Sequence, residues 1–308
     1  MRILLDQVYG AENFISNVVW IGSGSSKVRF SRGGLDYMLI YAKDKKQAPQ
    51  WWEPKDNAQD ILNFVAKQKE KQVTIDEAEL ALKKFLKVNQ DKYAAGLASY
   101  ASIDSQWRVF TTASIVNSLD RPNLKYDITD PATGVVYPHP DKGWTLSKST
   151  YQALYDKGMI VFAGNRPRKK YFLEDNMTQK PQPIVQESRS KAHSQLEKII
   201  GKNNFRYSKN VSVLKKWFNI VSGNQKDVTI MDFFAGSGST GQAVLEMNAE
   251  DQGTRQVVLM TNNEQDIATT VTLPRLRNII SGDWVSGKQR PLLGLLEIDE
   301  SLLKVEEN

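Results

Sequence analysis

The stretch that most constrains this chain is VTIMDFFAGSGSTG at residues 228–241. It opens with an apolar run, residues 228–231, that reads as a buried strand. Asp232 stands at the end of that run. Gly236, Ser237, Gly238, Ser239, Thr240 and Gly241 then make a turn of small residues, and Ala243, Val244 and Met247 are spaced for one apolar face of a helix. Strand, glycine turn and helix together suit a nucleotide-like cofactor: glycines admit the ligand close to the backbone, and the helix N-terminus offers free N–H groups. The fold class expected is α/β.

Several readings compete for this element. A phosphate loop needs a Lys before its Ser or Thr, and none is present. Gly236, Gly238 and Gly241 do match the G-x-G-x-x-G spacing of a dinucleotide site, and a plain strand-to-helix turn is the structural alternative. A second apolar run, TRQVVLMT at 254–261, ends in Asn262, Asn263 and Glu264. A carboxylate after the strand that follows a glycine turn is placed to accept ribose hydroxyls, which points to Glu264. Its structural alternative is a helix cap.

The nonamer DFFAGSGST at 232–240 resembles the S-adenosylmethionine loop of DNA amino-methyltransferases. The resemblance implies a cofactor pocket built from Asp232, Phe233, Phe234, Ala235, Gly236, Ser237 and Gly238, with the Phe and glycines shaping the methionine end. Further segments are similar to the modification subunits of type III restriction systems. They are the Leu-x-x-x-Tyr-Gly pattern before Asn13 and Phe14, Trp20, and DYMLIYAK at 36–43. Pro138, Pro140, Gly143 and Trp144 continue it, followed by GMIVF at 158–162 and PRKKYFLE at 167–174. Leu35 departs from the His usual there. FRYSK at 205–209 occupies the place of a segment that closes over the methionine end, which nominates Lys209, although Asn210 replaces the usual Pro. LPRLRNIISG at 273–282 resembles an arginine-bearing helix, in which Arg275 and Arg277 are read as structural.

The resemblance implies a Rossmann-like methyltransferase core, lacking its first part, with an inserted α+β target-recognition domain. Residues 1–45 are assigned to the first core segment, 46–200 to a helical insert and the recognition domain, and 201–308 to the cofactor-binding segment. Within the insert, TIDE at 74–77 is a capping box opening a helix through about residue 88, and an earlier helix spans about 58–69.

Charge supports a polyanion partner. The chain carries 41 Lys and Arg against 35 Asp and Glu, a net +6. Residues 142–216 alone hold 16 basic against 5 acidic side chains, so the remainder sums to −5. Such an excess is the footprint of a nucleic-acid face or, more plainly, a solvated surface. Arg166, Arg168, Lys169 and Lys170, with the aromatic Trp144 among them and Lys27 in a basic loop, are the candidate contacts to double-stranded DNA.

Composition closes other chemistries. There is no cysteine, which fits a cytoplasmic protein and excludes thiolate metal sites and the Cys nucleophile of cytosine-C5 methyltransferases, and the resemblance implies a bacterial or phage source. With two His, a His-rich metal centre is closed as well. No apolar run approaches a bilayer span.

One motif is missing. Amino-methyltransferases hold the flipped base with Asp/Asn-Pro-Pro-Tyr/Phe, and these 308 residues contain none. DPAT at 130–133 starts like it but lacks the second Pro and the aromatic, so it reads as a turn. The expectation is a subunit of a site-specific adenine-N6 DNA methyltransferase, completed by a second methyltransferase subunit that carries the motif. Strands near Phe14 and Asp36 are then expected to lack neighbours, and a restriction subunit is a further partner. A non-catalytic or degenerate homologue, and an RNA or small-molecule methyltransferase sharing the fold, are the alternatives. Adenine-N6 rather than cytosine-N4 comes from the resemblance alone.

Overall fold

The structure, a computed structural model, describes residues 1–22, 30, 34–93, 95–164, 166–187, 189–202, 205 and 207–292. Lys27 lies outside the described residues. The chain opens with α1 (Arg2–Tyr9), β1 (Phe14–Ile21) and β2 (Leu35–Tyr41). There follow β3 (Glu53–Pro54), α2 (Ala58–Glu70), α3 (Ile75–Val88), α4 (Ala95–Ala98), β4 (Ser102–Ile103) and β5 (Val109–Ser114). Next come β6 (Ile128–Thr129), β7 (Val136–Tyr137), α5 (Lys148–Asp156), β8 (Ile160–Ala163), β9 (Arg166–Phe172) and β10 (Thr178–Gln179). The last elements are β11 (Ile184–Gln186), α6 (Arg189–Ile200), α7 (Val211–Val221), β12 (Thr229–Asp232), α8 (Ser239–Asp251), β13 (Gln256–Leu259) and α9 (Leu273–Ser281). This is a mixed α/β chain in two compact units, one of residues 53–179 and the other of the segments on either side.

In the flanking unit, β1 and β2 pair antiparallel, with Val19 opposite Tyr37. β11 joins the other edge of β1 in parallel, with Trp20 opposite Val185. Two sequence expectations change here. β1 has a neighbour on each side within this chain, so it does not wait for one. Residues 180–200 belong with the flanking segments rather than with the insert, because β11 completes this sheet. Val18, Trp20 and Val185 pack against Val213, Trp217 and Ile220 of α7. Asn210 caps that helix by accepting the Ser212 and Val213 N–H groups, which accounts for an Asn where Pro was expected.

β12, α8 and β13 form a parallel strand–helix–strand unit, with Met231 opposite Val258. The sequence marked residues 228–231 as a buried strand. The structure covers it only in part: Ile230 is half-buried, Met231 is 49% exposed, and Val258 and Met260 are exposed beside it. β2 likewise leaves Tyr37 exposed at 59%.

In the unit of residues 53–179, α2 and α3 pack through Ile61, Val65, Ala78, Leu82 and Leu86. Both halves of the capping box are made, between Thr74 and Glu77. Thr74→Ala is therefore expected to cost about 1 kcal/mol of stability, read as a lowered urea midpoint. An antiparallel sheet in the order β4-β5-β9-β8 completes this unit. Residues 130–133 are the turn expected of them: the Asp130 carboxylate accepts the Ala132 N–H at 3.0 Å and the Thr133 hydroxyl at 2.7 Å.

Candidate cofactor cleft and cationic strand

The glycine turn is closed by the carboxylate before it. Asp232 accepts the Phe234 N–H at 3.0 Å and the Thr240 hydroxyl at 2.7 Å, tying the end of β12 to the first turn of α8. Ala235 donates its N–H to the Met260 carbonyl, and Gly238 donates to the Ala235 carbonyl. Gly236 and Gly238 sit at φ +51° and +74°, in the left-handed region that a side chain opposes. A Cβ on Gly236 would lie 3.3 Å from Phe205 Cζ, and one on Gly238 3.0 Å from Thr272 Cγ2.

Over this turn opens a cleft of about 960 Å3, lined by Phe205, Phe233, Phe234 and Gly236 and by residues drawn from the stretch 261–271. Glu264 lies in that stretch, at the start of a short turn beyond β13. Asn263, Gln265 and Asp266 beside it all have φ between +50° and +56°. Left-handed non-glycine residues cost about 1–3 kcal/mol each, and strain of this kind gathers at ligand sites. A five-residue π-helix, Ala268–Thr272, follows, and its Thr272 hydroxyl donates to the Gly236 carbonyl at 2.5 Å.

Of the cofactor residues expected from sequence, Phe233, Phe234, Gly236 and Glu264 meet at this cleft. Asp232, Ala235, Ser237 and Gly238 build the turn behind it. Lys209 does not reach the cleft: its ammonium lies 3.2 Å from the Asp36 carboxylate of β2 and 5.9 Å from the Trp20 ring. The segment's contribution comes from Phe205 instead, four residues earlier. Lys202, Asn262 and Asp266 also line the cleft, and nothing in their local sequence marked them.

Behind the turn lies Arg275 of α9, fully buried. It donates to Gln242 at 2.7 Å, to the Ser237 carbonyl at 3.0 Å, and to the hydroxyls of Ser208, Ser237 and Ser239 at 3.0–3.1 Å. Burial pushes its guanidinium down to about 10, with the charge of Glu246 acting in the opposite direction.

The second candidate site is β9. Arg166, Arg168 and Lys170 alternate with Lys169 and Tyr171, so the strand displays cations on both faces. Arg166 is exposed. Arg168 is braced against the neighbouring strand by bonds to the Thr112 hydroxyl and carbonyl at 2.8 and 3.0 Å. Lys170 lies 5.0 Å over the Phe110 ring and Lys169 4.7 Å over Tyr171. Arg108, which the sequence did not single out, lies 3.9 Å over Phe172 on the same sheet and pairs with Asp104 at 2.7 Å.

Trp144 is a correction. It is 0% exposed and its indole N–H donates to the Tyr126 carbonyl at 2.7 Å, so it is a core residue packed with Ile115, Ile128 and Tyr151. The basic excess of residues 142–216 is divided between the two units. Seven of its 16 cations fall in residues 53–179 and nine beyond them, and Lys209 and Lys215 are held by carboxylates.

Among the described residues no helix is long and apolar enough to cross a membrane, and no cluster of acidic or His side chains could hold a metal ion. The chain is 24% identical over 274 residues to the type III restriction-modification enzyme StyLTI Mod subunit of Salmonella typhimurium, covering 85% of this chain and 35% of that protein. It is 26% identical over 286 residues to the type II methyltransferase M.KpnI of Klebsiella pneumoniae, covering 85% and 59%. It is 22% identical over 279 residues to the EcoP15I Mod subunit of Escherichia coli, covering 86% and 41%. The chain thus spans from about a third to three-fifths of the length of these relatives. Residues 1–267 match the N6_N4_Mtase family, described as DNA methylase, and the chain belongs to that family.

Proposed function

We propose that this chain is the S-adenosylmethionine-binding and DNA target-recognition portion of a site-specific adenine-N6 DNA methyltransferase. Its flanking unit is a Rossmann-like core, and residues 53–179 are the inserted recognition domain. The observation that carries the reading is the cleft that the glycine turn and Glu264 line together. The fit is physical. Gly236 lines the cleft without a side chain, so a ligand can approach the backbone, and aromatic walls suit a purine.

Bound there, S-adenosylmethionine would supply an electrophilic methyl group on sulfur. Glu264 accepts the ribose hydroxyls, Phe205, Phe233 and Phe234 enclose the apolar parts, and Asp232 holds the turn in shape. Arg166 and Lys169 neutralise phosphates of double-stranded DNA. Arg168, Lys170 and Arg108 stiffen the sheet that presents them.

The flipped adenine is gripped by an Asp/Asn-Pro-Pro-Tyr/Phe motif that these residues do not contain, and we assign it to a partner methyltransferase subunit. The exposed apolar face at Met231, Val258 and Met260 supports such a partner. Names of the Mod relatives support a restriction subunit as a further associate.

Calorimetry with S-adenosylmethionine tests the cofactor assignment, and heat no greater than dilution would sink it. DNA affinity is expected to fall steeply with salt. Arg166→Ala and Lys169→Ala should each lower the slope of log K against log salt by about 0.9, equally for all sequences. Slopes equal to wild type would remove β9 from the interface.

A further inference from the structure

A fully buried cation is normally neutralised by a carboxylate, because an unpaired buried charge is strongly destabilising. Arg275 is not neutralised in that way. Among the described residues every hydrogen-bond partner of its guanidinium is neutral: the Gln242 amide oxygen, the Ser237 carbonyl, and the hydroxyls of Ser208, Ser237 and Ser239. Its Nη2 has no partner. Glu246 makes no ion pair with it, although its charge acts on Arg275: Gln242 donates to that carboxylate at 2.7 Å, and Glu246 is already paired with Lys215 at 3.2 Å. The positive potential of Arg275 is therefore left largely uncancelled in a poorly polarisable surrounding.

The hydroxyls around it close on one another: Ser237 donates to Ser208 at 3.2 Å, and Ser239 lies 3.2 and 3.3 Å from Ser208 and Ser237. Nη1 carries two hydrogens and meets four acceptors between 3.0 and 3.1 Å, three of them serine hydroxyls. The hydroxyl protons stay within that cluster, and the potential of the cation reaches the cleft through space. Ser237 adjoins Gly236, which lines the cleft, and Ser239 is the first residue of α8. The N-terminal N–H groups of that helix add positive partial charge of the same sign. Cation and helix end both lie behind one turn, and both favour an anion in front of it.

Resting on the cofactor reading above, we propose that Arg275 determines specificity for the carboxylate at the amino-acid end of the cofactor. It acts through space from behind the glycine turn, without touching the ligand. It is a positioning residue in this sense, and its charge rather than its hydrogen-bonding shape carries the effect.

The test compares two ligands that share sulfonium, amine and adenosine: S-adenosylmethionine and its decarboxylated analogue, titrated calorimetrically into the full chain. Wild type is expected to favour the carboxylated ligand. Arg275→Met should shrink that preference by about ten-fold or more, while affinity for the decarboxylated analogue stays within about two-fold. Arg275→Lys keeps the charge and loses the fork, and should retain the preference even where its melting temperature falls. Equal loss for both ligands in Arg275→Met, or no change in either, overturns the proposal. Should Arg275→Met not fold, loss of the preference in a folded Arg275→Lys overturns it equally. Wild type that binds neither ligand defeats the cofactor reading itself, a distinguishable result that takes this inference with it.

Discussion

Gly236→Val is expected to eliminate S-adenosylmethionine binding, a loss of at least about a hundred-fold in affinity, roughly 2.8 kcal/mol. Two effects add. The backbone at Gly236 has φ +51°, where a β-branched residue is strained by about 1–2 kcal/mol, so the turn itself is pushed to move. A Cβ there also stands 3.3 Å from Phe205 Cζ, and the valine methyl groups extend further. Either the phenyl ring shifts within the cleft or the methyl groups take the space of the ligand. The turn is pinned on both sides, by Asp232 to Thr240 and by Thr272 to the Gly236 carbonyl, which limits relaxation. Calorimetry reads the affinity, and the far-ultraviolet dichroism should remain that of the parent. Undiminished binding by a folded Gly236→Val would remove the turn from the cofactor site.

The other large effect is on transfer. The chain alone is expected to give no labelled methyl incorporation into DNA above background, and a partner carrying the Asp/Asn-Pro-Pro-Tyr/Phe motif should restore it. An adenine amine must be held by acceptors that aim its lone pair, and by an aromatic that stacks on its ring. The only sequence here that begins like such a motif has already used its acceptor. Asp130 is buried, and its carboxylate is taken by Ala132 and Thr133. The partner would also cover the apolar face beside β12. Strands with a continuous apolar sequence are those covered on both faces, and the side chains of Met231, Val258 and Met260 are exposed. The assay uses the chain with and without such a partner, on duplexes of varied sequence. Robust transfer by the purified chain alone would refute the division of labour, and specificity that ignored changes in residues 53–179 would refute their role as the reader.

The sequence by itself determined the local elements and the family. Strand, glycine turn and helix at 228–251, the second strand ending before Glu264, and the capped helix after Thr74 are all encoded within a few residues of one another. Hydrogen bonds of a cap, the φ of a glycine and the period of an apolar face are short-range properties, and they survive unchanged in the fold. Tertiary structure decided what depends on distant partners. β11 pairs with β1 across some 165 residues of chain, and three residues carry too little periodicity to announce a strand. Trp144 became core and Arg166 surface, because an aromatic or a cation in isolation does not say which face of its unit it will occupy. Lys209 turned to Asp36, a carboxylate 173 positions away, while Phe205 took the cleft. Arg275 reads from sequence as one of two arginines on a helix. Only packing, which brings the serines at 208, 237 and 239 around it, placed a buried charge behind the turn.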